Sequence, residues 1–420
     1  MEITSLILTA VILSALCGVI CLRQSRYLTF FYFICFSLPF LPLISSIFGD
    51  DSVFWIDDTF SFDSSSIQVF GLTVIWLYSS LGMLLALTLR KIVGHKAAQS
   101  KARPASISHL DMRITQQSML WKIAMLSLAI SVAARSVFAA QIEAMFPGMD
   151  PLICYMFVFC WAVVLVHPSR KSLIYLVSVT TVYVTSQLIS GDRDFFTFIF
   201  ALGLLWMVWN KVAFKTLFKI AFVVFALVVT GAVISIVRME IEFSYDQILV
   251  FLRFNSWNAI ILPVLSMIEA EWLDGKLLYG KPYIDLLFSA LPSPIFNFLG
   301  IIKPINLDNP AEWFYIQGLG GMHVAGVAFR NFDLVGVLAQ SFFLTTSLML
   351  VEKLVSTRTS SLRVFLFLVV ATATMHATWY GLIYLVNALT FYIYIIMMVY
   401  VFTLLGLISP RKYKIGDFSS

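Results

Sequence analysis

The apolar residues of this chain fall in unbroken runs of roughly twenty, separated by short polar breaks, from Ile3 to about residue 408. A run of that length crosses a hydrocarbon core of about 30 Å as a helix, which satisfies its own backbone polar groups. The alternation of a β-barrel is absent. The runs predict spans near 4–22, 27–48, 69–89, 119–139, 149–166, 172–189, 195–209, 217–237, 331–350, 364–381 and 387–408, about eleven in all. The expected fold class is therefore an all-α polytopic membrane protein. It forms a single integral membrane domain over 1–420, with two long loops at 90–118 and 238–330. Ile3 to Cys21 has no basic leader and no small-residue cleavage site, so it reads as a retained span.

Composition agrees with the pattern: 60% of residues are hydrophobic, 12% are charged and the mean hydropathy is +0.91. What charge adds is orientation. If "RQSR" at 23–26 is cytoplasmic, so are the loop at 90–118, "HPSRK", "NKVAFK", "VEKLVSTRTSSLR" and the tail "PRKYK". About 20 of the 28 Lys and Arg then lie inside, which puts the amino terminus outside and the carboxyl terminus in the cytoplasm. The acidic residues distribute the other way, with Asp111, Glu352 and Asp417 alone on the inside.

The loop at 90–118 is basic and polar, and reads as a flexible, lipid-facing linker. The outer loop at 238–330 is half apolar. "NAIILPVLSMI" and "YIDLLFSALPSPIFNFLG" are too short or too broken by proline to span, so they belong at the outer interface or folded back into the bundle. A long, half-apolar loop on one face suits a lipid-linked substrate.

The basic residues that defy the inside bias carry the candidate chemistry: Arg135, Arg193, Arg238, Arg253, Lys276, Lys281, Lys303 and Arg330. Arginine stays charged when buried and offers a planar fork of donors to phosphate or carboxylate oxygens, so the group suggests an anion site. Arg193, in "SGDRDFF", sits between Asp192 and Asp194 at the mouth of two closely spaced spans. Either the two aspartates tie it up, or one sets its orientation while the other serves elsewhere. Arg253 and Arg330 approach the membrane edge from outside, as substrate contacts or in structural pairs with Glu240, Glu242, Asp246 or Asp333. Arg135, for its part, can snorkel or neutralise Glu143.

His323, in "GLGGMHVAG", and His376, in "TMHATWYG", fall on the outer side, where a neutral imidazole can serve as a base or donor or simply pack. The acidic loop "GDDSVFWIDDTFSFDSSS" lacks calcium-loop spacing and reads as a solvated cap. Cys17, Cys21, Cys35, Cys154 and Cys160 lie in apolar runs without metal-type spacing. No HExxH, GxSxG or paired CxxC is present, so no metal and no cofactor are expected.

Three stretches together resemble the bacterial O-antigen polymerase (Wzy) and oligosaccharide repeat-unit polymerase families. They are "GDRDFF" before a span, "GKLLYGKPYIDLLFSALPSPIFNFLGIIKP" closing on Lys303 and Pro304, and "GLGGMHVAGVAFRNFDLVGVL" with Asn331, Phe332 and Gly336. The sequence departs from that pattern at Val327, where many relatives carry glutamate, and at Asp333, where they carry glycine.

The resemblance implies a metal-independent, C-type (GT-C-like) membrane glycosyltransferase in the bacterial inner membrane. It would transfer a growing glycan from undecaprenyl diphosphate to the next lipid-linked repeat unit on the periplasmic face. Read onto this chain, Arg193, Arg253 and Arg330 contact the diphosphate, and His323, Asp192 or Asp194 is the base or orients the acceptor. Arg135, Arg238, Lys303 and His376 are further substrate contacts. The partners implied are the lipid-linked oligosaccharide, membrane lipids, a chain-length regulator and a flippase; nucleic acid is not among them. An O-antigen ligase acting on the lipid A core, or a transporter of lipid-linked oligosaccharide, is the competing expectation.

Overall fold

The computed structural model describes residues 3–40, 43–44, 54–55, 61–62, 66–97, 119–137, 149–189, 195–212, 229, 233, 260–261, 263–265, 268, 277–289, 291, 293–301, 323–355 and 360–405. Apart from one small strand pair they are almost wholly helical. The helices are α1 (Ile3–Arg23), α2 (Tyr27–Ser37), α3 (Ser66–Ala97), α4 (Met119–Val137), α5 (Met149–Val166), α6 (Arg170–Ile189) and α7 (Phe195–Asn210). Then follow α8 (Lys281–Ser289), α9 (Ser293–Leu299), α10 (Val324–Leu354), α11 (Ser361–Tyr380) and α12 (Ile383–Leu404). Strands β1 (Phe54–Trp55) and β2 (Ser61–Phe62) pair antiparallel, Phe54 opposite Phe62, within the acidic loop.

Among the described residues five helices are long and apolar enough to cross a membrane: Ile3–Arg23, Ile67–Leu89, Val324–Leu354, Ser361–Trp379 and Ile383–Phe402. Shorter apolar helices cover Tyr27–Phe40, Trp121–Ala134, Ile153–Val166 and Thr197–Asn210. This is a helical, membrane-embedded architecture. The apolar run expected over 27–48 ends its α-helix at Ser37, where Pro39 has no amide N–H to continue the hydrogen-bond ladder. The basic loop begins as helix, since α3 continues to Ala97. The run at 217–237 lies outside the described residues, apart from 229 and 233.

The chain divides into two compact units. The first comprises Met1–Ser100, Trp206–Lys353 and Val370–Asn387. Its α1 shows why an all-apolar helix still has two sides. Ile7, Ala10, Ser14, Cys17 and Cys21 are buried along one stripe, while Leu8, Ile12, Leu16 and Val19 form an exposed one. The buried stripe is the one with small residues, and these let α3 approach closely, as helices in lipid do. Ser14 and Ser80 share a hydroxyl–hydroxyl bond of 2.8 Å, and the Cys17 thiol lies 3.5 Å from the Ser80 carbonyl.

Three basic loops meet at one end of this unit. The Arg26 guanidinium reaches the Met349 carbonyl at 3.5 Å, the Leu28 amide donates to Glu352 at 2.7 Å, and the Tyr27 hydroxyl donates to the Val212 carbonyl at 3.0 Å. The loops that charge assigned to one side of the membrane are therefore neighbours here.

The two apolar pieces of the outer loop take different solutions. Ile260, Ile261, Val264, Leu265 and Ile268 are fully buried, and Ile260 packs with Cys35 and Trp379, whose indole donates to the Cys35 carbonyl at 2.7 Å. That piece folds back into the bundle. The other, α8 and α9, keeps Ile284, Leu287, Phe288, Phe298 and Leu299 exposed.

The second unit comprises Lys101–Leu205, Leu354–Val369 and Ala388–Ser420. In it α4, α5 and α6 pack on one another. Its core is aromatic: Phe157 lies against Tyr183 and Phe198, and Phe365 against Phe159, Phe391 and Tyr392. The Trp161 indole donates to the Thr180 hydroxyl at 3.2 Å.

Candidate functional site

The helix α10 is not straight. Phe332 (φ −145°, ψ 25°) and Asp333 (φ 54°, ψ −153°) leave helical geometry, and the two arms they separate fold back on each other. In a straight helix residues 324 and 340 stand about 24 Å apart; here the Gln340 amide donates to the Val324 carbonyl at 2.8 Å. A β-carbon at Gly336 would collide with the Ala328 carbonyl oxygen, so glycine is what lets the arms touch. The arm 334–354 has the length of a span. The arm 324–331 is a re-entrant helix, with Val324, Ala325, Val327, Ala328 and Phe329 all at 2% exposure or less.

Reversing a chain inside a buried unit leaves polar groups that must find partners. Asn331, fully buried, donates to the Val327 carbonyl at 2.7 Å and accepts from the Gly280 amide at 2.9 Å. The Arg330 carbonyl accepts the Leu278 amide at 3.0 Å. On the far side the Asp333 carboxylate caps the new helix by accepting the Leu334 amide at 2.7 Å. Asp333 does so from a backbone conformation that belongs almost exclusively to glycine. This is the position at which the resembled families carry glycine.

The segment 278–283 is strapped across the reversal. Tyr279 (φ 47°) and Gly280 (φ 84°) turn it, and a β-carbon on Gly280 would lie 2.8 Å from the Phe332 ring. Tyr283 stacks on Phe332, with ring centroids 6.3 Å apart and planes within 5°, and its hydroxyl donates to Gln340 at 2.6 Å. Two of the three stretches that carry the family resemblance are thus brought together, and Arg330, 8% exposed, sits at their junction. The Arg330 guanidinium is thus buried beside a turn of irregular backbone.

His323 is placed elsewhere, at the other end of the re-entrant arm. It is wholly buried, edge-on to Phe36 and Phe40 with centroids 4.5 and 5.0 Å away. Its Nδ1 accepts the Ala325 amide at 3.3 Å, which leaves the proton on Nε2 for the Phe36 carbonyl at 3.1 Å, while its own amide donates to Ile260 at 3.0 Å. Both ring nitrogens are taken and no face of the ring meets solvent. His323, expected as the base or as orienter of the acceptor, is held here by backbone partners on both ring nitrogens. His376, half-buried in α11, stacks on Tyr384 at 5.2 Å.

Asp192, Arg193, Asp194, Arg238, Arg253 and Lys303 lie outside the described residues, as does the side chain of Arg135 in α4. An open apolar recess between α2, α10, α11 and α12 is lined by Tyr32, Leu344, Leu348 and Thr378 among others, and contains none of the expected site residues.

Sequence reasoning passed over Glu352. It is 3% exposed, and its two carboxylate oxygens hold the Leu28 amide at 2.7 Å and the Thr29 hydroxyl at 2.9 Å. The signal was present: Glu352 shares a helical face with the buried Thr345, Leu348 and Met349. Comparison with protein-family models, curated proteins and solved structures finds no match to the chain.

Proposed function

We propose that the protein is a polymerase of lipid-linked glycans, joining the reducing end of a growing chain to a sugar hydroxyl of the next lipid-linked repeat unit at the outer face of a bacterial inner membrane. The observation that carries this reading is the reversal in α10. There the stretches "LLYGKPYIDLLFS" from residue 277 and "HVAGVAFRNFDLVGVL" from residue 323 meet beside Arg330, and Asp333 adopts the backbone of the glycine found in the resembled families.

In the reaction the bond from the anomeric carbon to the diphosphate oxygen breaks, and the acceptor hydroxyl oxygen bonds to that carbon. Its proton passes to a base, and undecaprenyl diphosphate leaves with the electron pair. Negative charge grows on the diphosphate as the bond breaks, so a fixed guanidinium in a water-poor site stabilises the transition state more than the ground state. Arg330 holds this role, and Arg253 is assigned beside it from the sequence. The assignments of Arg193 to the diphosphate and of Asp192 or Asp194 to the base rest on the sequence. An eleven-span count and a GT-C-like architecture belong to the same proposal.

The test is genetic. Arg330→Ala and Arg193→Ala, each expressed in a polymerase-null strain at wild-type level, are expected to leave surface glycans one repeat unit long. Arg330→Lys should restore little, since a point charge does not reproduce the planar fork. Long chains of normal distribution in either alanine variant would refute that residue's role. Loss of all glycan from the lipid A core, single units included, would favour the ligase.

A further inference from the structure

We propose that α8, together with Phe332 and Val335 at the reversal of α10, is a lipid-facing foot seated at the boundary between headgroups and acyl chains. The inference rests on the membrane embedding of the chain and not on the glycan chemistry.

A helix that is apolar on both sides needs two apolar partners. One side of α8 has the protein: Leu286 is 4% exposed and Tyr283 bonds to Gln340. The opposite stripe, Ile284, Leu287 and Phe288, is 56%, 68% and 49% exposed among the described residues. Lys281 and Asp285 lie together on the flank between the two. With nine residues the helix is about 14 Å long, far short of a span. The exposed stripe therefore cannot be the lipid-facing side of a crossing helix.

Its neighbours identify the second partner. The arm of α10 that has the length of a span exposes Val335, Phe343 and Leu350 at 73%, 66% and 53%, one apolar stripe at helical spacing of the kind a span turns to lipid. That stripe runs upward into Phe332, itself 45% exposed, and Phe332 is the ring on which Tyr283 of α8 stacks. The lipid-facing surface of a span thus continues without interruption onto α8.

Height agrees. From Lys353, the basic residue that marks one membrane edge, to residue 334 the arm rises about 30 Å, one hydrocarbon thickness. The reversal and the strap on it stand at the opposite edge, where an apolar helix lies flat with its exposed side about 5–10 Å into the boundary.

The experiment is site-directed spin labelling of the full chain in lipid nanodiscs. Labels at Ile284→Cys and Leu287→Cys are compared with Phe343→Cys as the mid-membrane reference, in a Cys154→Ser background because the other native cysteines are buried. Both test positions are exposed, so labelling disturbs no packing, and a monodisperse elution profile confirms folding. Oxygen is expected to relax the α8 labels at least several-fold more than a water-soluble nickel complex does, at a depth shallower than Phe343. Stronger relaxation by nickel would make α8 an aqueous loop and overturn the proposal. Exclusion of both reagents would overturn it too, by showing a second copy or another protein on the stripe.

Discussion

Asp333 and Glu352 are single residues whose surroundings dictate measurable consequences. At Asp333 the backbone lies where only glycine is comfortable, a strain of about 1–3 kcal/mol, partly offset by the cap on Leu334. Alanine keeps the strain and loses the cap, whereas glycine loses the cap and relieves the strain. Asp333→Gly is expected to be more stable than Asp333→Ala by about 1–2 kcal/mol, read as the difference in thermal midpoint of the detergent-solubilised protein. Equal midpoints would mean the reversal has another geometry. At Glu352, substitution by alanine strands a buried amide and a buried hydroxyl, and should cost about 3 kcal/mol. Glu352→Gln, which keeps one acceptor, should cost less than half as much.

Among elements, the reversal of α10 is the least expected feature. The stretch from Val324 to Leu354 carries no proline, and the span expected from residue 331 onward left no sign that 324–331 forms a second helical arm folded against it. What it does carry is Asn331 before Phe332, with Gly336 following, and the turn depends on a side-chain amide and a missing β-carbon that only the folded partner segment explains. The prediction is direct. Cysteines at 324 and 340 should be joined by a cross-linker about 8 Å long, because a straight helix would hold them about 24 Å apart. Failure to cross-link in folded protein would restore a straight α10 and remove the interlocked site. Gly336→Ala, which pushes the arms apart, should abolish the same cross-link.

For the whole molecule, the apolar runs placed the helices well because membrane spans leave a long, one-dimensional signal that needs no tertiary information. The candidate site was legible only in part. Arg330 stood out because it opposes the charge bias, and the quoted stretches around it do meet. His323 also stood out beside its glycines, but its burial and the backbone partners of both ring nitrogens were not legible, since they depend on the packing of Phe36 and Ala325. Glu352 was counted only as one of the inside acidic residues, because burial at a helix end depends on the partner loop. Topology supplies its own prediction: the loops containing Gln24, Lys211 and Lys353 are neighbours of residues that bond one another. Cysteines at these three positions should resist an impermeant maleimide in intact cells, while Tyr279→Cys should react once the outer membrane is permeabilised. Labelling of any one of the three without the others would break the assignment.

The central claim is that this chain polymerises lipid-linked glycans. It is tested most directly by supplying the purified protein, in nanodiscs and without added metal, with a lipid-linked repeat unit and resolving the products by size. A ladder of products rising by one repeat unit, lost in Arg330→Ala, is the predicted result. Transfer of a single unit to an added lipid A core, or no product beyond the supplied unit from folded wild-type protein, would contradict it.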